Sequence, residues 1–340
     1  MNKSTRPAAT TLVAQVAPQR STQYATLASA LAPHELKLSP LGHQISAIDP
    51  VELGGQAYLK FEMTAAPDDE QARELGMLAM TSAFFLYHER LGEREGPFLR
   101  PIETRFEPFF PPDLVMTRRY KGKTNELFTR FMCNLARFSS GFAHRPWSTL
   151  RVFDPLAGGG TTLFTALVLG ADVAGVEKNA QAVQSTAAFL KQYAREQGIA
   201  CKVSEGRLKK LGKRWWFTLG KGALRQCVLA RGETAQSAAL ISGFKNPHLI
   251  VADLPYGIQH RGKLTSLLTE ALPAWASLLP PGGAMTLAWE STRFPRADMI
   301  ALVESASPLA VLNEPPFNAL AHRVDRVIKQ RDVLVACPIR

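Results

Sequence analysis

The stretch LRVFDPLAGGGTTLFTALVLGADVAGVEKNA, residues 150–180, decides the reading of the fold. Leu150 to Phe153 is a short apolar run, DPLAGGGTT (154–162) is a glycine turn, Thr161 to Leu169 has helix composition, and Val173 to Val176 is again strand-like. Two neighbouring parallel strands need a crossover between them, so this succession predicts a parallel α/β sheet. Gly158 and Gly160 let the backbone turn sharply and approach a ligand with no Cβ in the way, and the helix opening at Thr161 offers unpaired N–H donors. Asp154 and Pro155 lead into that loop. Glu177 closes the second strand 17 positions after Gly160, a spacing at which an acid accepts ribose hydroxyls. A dinucleotide fingerprint would set its third glycine at Leu163, where the side chain is bulky.

Downstream the alternation continues. An amphipathic helix from Asn179 keeps Ala180, Val183, Ala187, Leu190 and Tyr193 at helical spacing. His248 to Ala252 reads as a buried strand, Leu264 to Leu279 as a helix stopped by PPGG (280–283), and Ala284 to Trp289 as a further strand. Arg296 to Ser305 and Val333 to Cys337 supply one more helix and the last strand. DLPYG, Asp253 to Gly257, follows the strand at 248–252, and carboxyl ends of strands line the crevice of an open sheet, so Asp253 should stand beside the glycine loop.

Upstream, residues 1–20 carry only small apolar groups and read as a mobile basic tail. Residues 21–95 read as a small α+β accessory domain, with a strand over Ala57 to Met63 and a helix over Asp69 to Tyr87 that turns Leu75, Leu78, Ala79 and Leu86 to one side. Pro97, Pro101, Pro108, Pro111 and Pro112 make 96–120 a connector that can be neither continuous helix nor central strand. Residues 121–340 then form the second domain.

Asp253, Leu254, Pro255 and Tyr256 occupy the positions of the signature loop of class I amino-methyltransferases, which this chain resembles from Gly122 to about Trp289. Leu254 stands where that family commonly has proline. The resemblance implies a doubly wound, Rossmann-like, mostly parallel methyltransferase sheet and S-adenosylmethionine as cofactor. By it, Asp253 and the Leu254 carbonyl accept the two hydrogens of a target amine, and Tyr256 stacks on the extruded base. Gly257, His260 and Arg261 follow as substrate contacts. GKTNELFTRFMCNLARF, 122–138, resembles the helix that precedes the glycine loop, with Thr124 beside the cofactor and expected as its N-cap, and with Leu127, Phe131, Leu135 and Phe138 inward. Glu233 stands where the family has an acid near the adenine. This order of motifs is shared with DNA amino-methyltransferases and with tRNA guanosine methyltransferases, the latter having an N-terminal accessory domain.

Forty basic residues against 29 acidic give a net charge of +11, which favours an anionic partner. Residues 202–225 hold eight basic side chains against Glu205 alone, with Trp215, Trp216 and Phe217 among them. Lys209, Lys210, Lys213 and Arg214 at their centre would suit a nucleic-acid arm, with aromatics stacking on unpaired bases, or a β-hairpin whose aromatics pack inward and whose lysines face water. The four cysteines, Cys133, Cys201, Cys227 and Cys337, have neither metal nor disulfide spacing, so no metal is expected. No run is apolar enough to span a membrane or to begin a secretory leader, and a cytoplasmic address is expected. The function expected is methyl transfer to an exocyclic base nitrogen, with RNA favoured over DNA and guanosine in tRNA foremost. A protein glutamine methyltransferase shares the four-residue loop. A noncatalytic nucleic-acid module would be expected to lose the acid or the aromatic of DLPY.

Overall fold

Thr10–Val16 (β1) is the middle strand of a five-stranded antiparallel sheet in the computed structural model, not part of a tail. Its Thr and Val residues suit an extended backbone, and Leu12, Val13 and Ala14 are wholly buried between the strands on either side. The structure describes residues 9–19, 24, 26–120, 122–209, 211–255, 261–324 and 329–339, apart from the side chain of Arg261. Two units divide the chain, Met1–Glu107 with His322–Arg326 and Pro108–Ala321 with Val327–Arg340.

The first unit continues with α1 (Leu27–Leu38), β2 (Ile45–Leu53), β3 (Gln56–Met63), α2 (Asp69–Gly76), β4 (Thr81–Leu91) and β5 (Arg94–Ile102), in sheet order β2-β3-β1-β4-β5. The helix expected over 69–87 therefore ends eleven residues early. At Gly76 a Cβ would stand 2.7 Å from the Thr104 side chain and 2.9 Å from that of Phe106. The buried Glu35 carboxylate accepts the N–H groups of Ala79 at 2.9 Å and Met80 at 2.8 Å, which holds the turn open for TSAFFLY to enter β4. The connector expected over 96–120 is corrected as well, because Pro97 and Pro101 lie inside β5. That strand is at the sheet edge, the place within a sheet where proline is tolerated.

The second unit runs α3 (Asp113–Met116), α4 (Glu126–Phe138), β6 (Arg151–Asp154), α5 (Thr161–Leu169), β7 (Asp172–Glu177), α6 (Ala180–Glu196), β8 (Cys201–Leu208), β9 (Gly212–Leu219), β10 (Arg225–Arg231), α7 (Ser237–Leu240), β11 (Leu249–Asp253), α8 (Arg261–Leu278), β12 (Ala284–Glu290), α9 (Arg296–Ala306), β13 (Leu309–Leu312) and β14 (Gln330–Pro338). Its strands follow the order β13-β14-β12-β11-β6-β7-β10-β9-β8. The central five, β12 to β10, are parallel, and the outer strands are antiparallel. The fold of this unit is thus a mixed α/β sheet with a parallel, doubly wound core, and the first unit holds a separate antiparallel accessory sheet. From β6 the chain moves outward to β7 and later returns to β11 on the other side. That reversal opens a crevice at the carboxyl ends of these strands. Below it Phe153, Ile250, Leu268, Trp275, Leu287 and Trp289 form one apolar core.

Candidate active site

β6 delivers Asp154 to the crevice floor, where its Oδ1 accepts the Leu156 N–H at 3.0 Å. Gly158 and Gly160 follow with φ of +49° and +88°, conformations that L side chains rarely adopt. Gly160 opens α5, and a Cβ there would come 2.9 Å from the Thr186 methyl. The loop is tied to the next strand by the Ala157 N–H, which donates to the Val176 carbonyl at 2.9 Å. Beside it Glu177 Oε2 accepts the Gly158 N–H at 3.0 Å and Oε1 accepts the Asn179 N–H at 2.6 Å. The acid that spacing placed near the loop therefore bridges it to the start of α6.

A residue that motif reading missed closes over this loop. The Tyr120 ring lies on Gly159, where a Cβ would approach within 2.2 Å of it, and its hydroxyl hydrogen-bonds the Thr161 hydroxyl. The Arg118 guanidinium sits 5.4 Å from the Tyr120 ring centre and 5.3 Å from that of Phe189. Burial raises the Tyr120 phenol above its ordinary range. Only the nearness of Tyr120 to Thr124 could have pointed to it. The middle glycine was likewise passed over, since nothing in the sequence says that a ring will cover it.

At the other end Asp253 leaves β11, and the Thr124 hydroxyl donates to its Oδ2 at 2.5 Å. Thr124 is not the helix cap: Asn125 is, its side chain accepting the Phe128 N–H at 3.0 Å, and Phe128 takes the buried place expected of Leu127. The Leu254 N–H donates to the Ala288 carbonyl at 2.8 Å and its side chain is buried, so core packing holds the position where the family commonly has proline. Pro255 is exposed. Tyr256, Gly257 and His260 lie outside the described residues, as does the side chain of Arg261, which begins α8.

One pocket of about 740 Å³ joins both ends and is lined by Thr124, Asp154, Pro155, Gly158, Thr161, Glu177, Glu233, Asp253, Leu254 and Pro255 of the expected residues. Gly160 is not a lining residue and acts through the backbone. Tyr120, Lys178 and Thr234 were not foreseen and line it too, together with Gly159 and Thr162 of the glycine loop and Lys263. Thr234 braces the wall by donating to the Pro155 carbonyl at 2.7 Å while accepting from the Trp275 indole at 3.0 Å. Glu233 stands 3.9 Å from Lys178. Burial pushes the Asp154 carboxyl up to about 7, against the bonds from Thr162 and Leu156, and the carboxylates of Asp253 and Glu177 push the same way.

Residues 202–225 are not among the lining residues and form the hairpin β8–β9 up to the start of β10. Trp215 and Phe217 are buried and Trp216 packs edge-on to Phe244 at 6.4 Å, so these rings belong to the core and do not await bases. Lys213 pairs with Glu205, Arg214 donates to the Ser242 carbonyl at 2.5 Å, Lys209 is exposed, and Lys210 lies outside the described residues. Among the described residues no group of His, Cys, Asp and Glu is arranged to hold a metal ion, and no helix is long and apolar enough to cross a membrane.

No protein-family model matches the chain, and no curated protein matches it. Solved structures do. TrmN from Thermus thermophilus is similar over 97% of this chain and 100% of its own, at 17% identity and a TM-score of 0.46. The Thermus thermophilus 16S rRNA N2 methyltransferase RsmC, solved with AdoMet and guanosine, is similar over 93% of this chain and 63% of its own, at 15% identity and a TM-score of 0.38. The putative RNA methyltransferase PH1948 from Pyrococcus horikoshii is similar over 70% of this chain and 94% of its own, at 15% identity and a TM-score of 0.39.

Proposed function

We propose that the chain is an adenosylmethionine-dependent methyltransferase that acts on an exocyclic amino nitrogen of a nucleic-acid base, in RNA and foremost on guanosine in tRNA. The observation that carries this reading is that the Thr124–Asp253 pair and the glycine loop with Glu177 line one pocket. Its volume of about 740 Å³ lies within the range of small-molecule sites, and an acid on the carboxyl edge of β7 suits a ribose. The cofactor, when bound, supplies an electrophilic methyl group.

The chain's own residues supply the rest. Glu177 accepts ribose hydroxyls on lone pairs not taken by the Gly158 and Asn179 amides. An exocyclic base amine is a poor nucleophile because its lone pair is delocalised into the ring, and acceptors for its hydrogens favour the pyramidal form. The Asp253 carboxylate and the Leu254 carbonyl are those acceptors. Thr124, bonded to Oδ2, fixes the rotation of the carboxylate. Tyr256 stacks on the extruded base, an interaction of about 1–3 kcal/mol that offsets part of the unstacking cost. The net charge of +11 supports a polyanionic substrate over a protein amide.

Transfer of a tritiated methyl group to RNA, to DNA and to protein, followed by nucleoside mass spectrometry, separates the substrates. Asp253→Ala should lower kcat by about 10²-fold or more, as expected where a donor or acceptor serving the transition state is lost, while leaving cofactor affinity nearly unchanged. Asp253→Asn keeps an acceptor oxygen and should retain measurable activity. Full activity in folded Asp253→Ala would overturn the reading.

A further inference from the structure

The hairpin β8–β9 extends the sheet past β10, and its register aligns charge. Arg207 stands opposite Lys213, Lys213 opposite Arg231, and Arg231 opposite Glu177 of the pocket. Residues paired across adjacent strands project to one face, and strands lie about 4.8 Å apart, so the three cations form a row some 10 Å long. Its inner end is contiguous with the pocket, because Arg231 is followed directly by Gly232, Glu233 and Thr234 of the pocket wall. Arg207, Lys209 and Arg231 are exposed. The acids beside the row are Glu177, opposite Arg231 and bonded to the Gly158 and Asn179 amides, Glu205, paired with Lys213, and Glu233, 3.9 Å from Lys178. The buried Trp215 and Phe217 anchor the hairpin, so the row is carried on packed sheet and not on a loose loop.

We propose that this row is a phosphate-binding ledge that receives RNA leading to the pocket, an assignment that rests on the reading of the pocket as an RNA methyltransferase site. Fixed cations at the carboxyl edge of the sheet, on the same edge as the reacting end of the fold, bind a polyanion by releasing its counterions and orient it toward the crevice.

The test compares the full chain with the triple variant Arg207→Gln, Lys209→Gln, Arg231→Gln, which removes the two exposed cations of the row and the exposed Lys209 just past the end of β8 and leaves Lys213 paired with Glu205. The control is Arg145→Gln, Lys221→Gln, Lys245→Gln, which removes the same charge from exposed positions at the amino edge of the sheet. Anisotropy with labelled unfractionated tRNA, and with duplex DNA of similar length, gives the slope of log K against log salt. Each phosphate contact contributes about 0.7 on single strands and 0.9 on duplex, so the ledge variant should lose about 2 to 3 from the slope on tRNA. The control should keep the wild-type slope, and adenosylmethionine affinity and thermal stability should stay unchanged in both. An unchanged slope in the ledge variant, an equal loss in the control, or an equal loss on DNA would overturn the proposal. A flattened slope on tRNA together with no methyl transfer to any RNA would instead remove the functional reading and leave the ledge standing. Unaltered kcat/KM on RNA with an unaltered slope would remove the ledge and leave that reading standing.

Discussion

Replacing Glu177 with alanine separates its two roles, brace and ligand. In the structure Oε1 accepts the Asn179 N–H at 2.6 Å and Oε2 the Gly158 N–H at 3.0 Å. Bonds to a charged acceptor contribute about 1.5–3 kcal/mol each when sheltered, but Asn179 is exposed and Gly158 faces the pocket, so water replaces much of what is lost. The stability loss should therefore be about 1–3 kcal/mol, a fall of roughly 2–4 °C in Tm per kcal/mol for a unit of this size. The effect on adenosylmethionine is separate. Losing one charge-assisted bond from a ribose hydroxyl should weaken Kd by about 10- to 150-fold, and losing two should give the upper end or more. Isothermal titration calorimetry reads the second effect and thermal unfolding the first. Glu177→Gln keeps one acceptor oxygen but turns an NH₂ toward the other amide, so it should fall between wild type and alanine in both assays. A lowered Tm with unchanged affinity would refute the ligand role and leave Glu177 as a loop brace alone.

Two further outcomes are expected. Burial pushes Asp154 up to about 7 in the folded chain, above its value of about 3.9 when unfolded, so the folded state binds that proton more tightly. Its contribution to stability is then complete below about pH 4 and lost as pH rises through 7; over that window wild type should lose on the order of a few kcal/mol relative to Asp154→Asn, and parallel stability–pH curves would refute the assignment. In the accessory unit, Glu35→Ala leaves the buried Ala79 and Met80 amides without their acceptor, at about 1–3 kcal/mol each, whereas Glu35→Gln should cost about half as much; urea unfolding that shows no difference from wild type would refute the capping role.

The elements around the pocket were legible because their signals are local. The turn glycines, the periodic apolar residues of α6 and the PPGG stop after α8 each state their structure within a few residues. What failed was signal that depends on distant partners. Leu78, Ala79 and Leu86 keep helical spacing after Asp69, yet the chain turns at Gly76 because Thr104 and Phe106 fill the space and Glu35, 44 residues away from Ala79, takes its N–H. β1 looked like a tail because LVA is too short to read alone, and it is a strand only because β3 and β4 flank it. At the site, Asp253 and Glu177 were found through motif position. Tyr120 and Thr234 were not, since their roles consist of touching Gly159, Thr161, Pro155 and Trp275 across the fold. Thr124 and Asn125 show the limit of resolution: both can cap a helix, and only the geometry says that one does so while the other turns to Asp253.

The prolines of the accessory sheet have a consequence for association. Its two outermost strands are β2 and β5; Pro50 interrupts the first, and Pro97 and Pro101 the second. Each proline removes a backbone donor from its strand, and β2 adds a bulge between Ser46 and Asp49. An arriving strand would meet an incomplete ladder on either flank, with Asp49 and Glu52 on one and Arg94, Glu95 and Arg100 on the other as further obstacles. The unit is thereby protected from stacking edge to edge into aggregates while the chain is concentrated or newly made. An added strand would find fewer backbone donors on either edge than an uninterrupted strand offers.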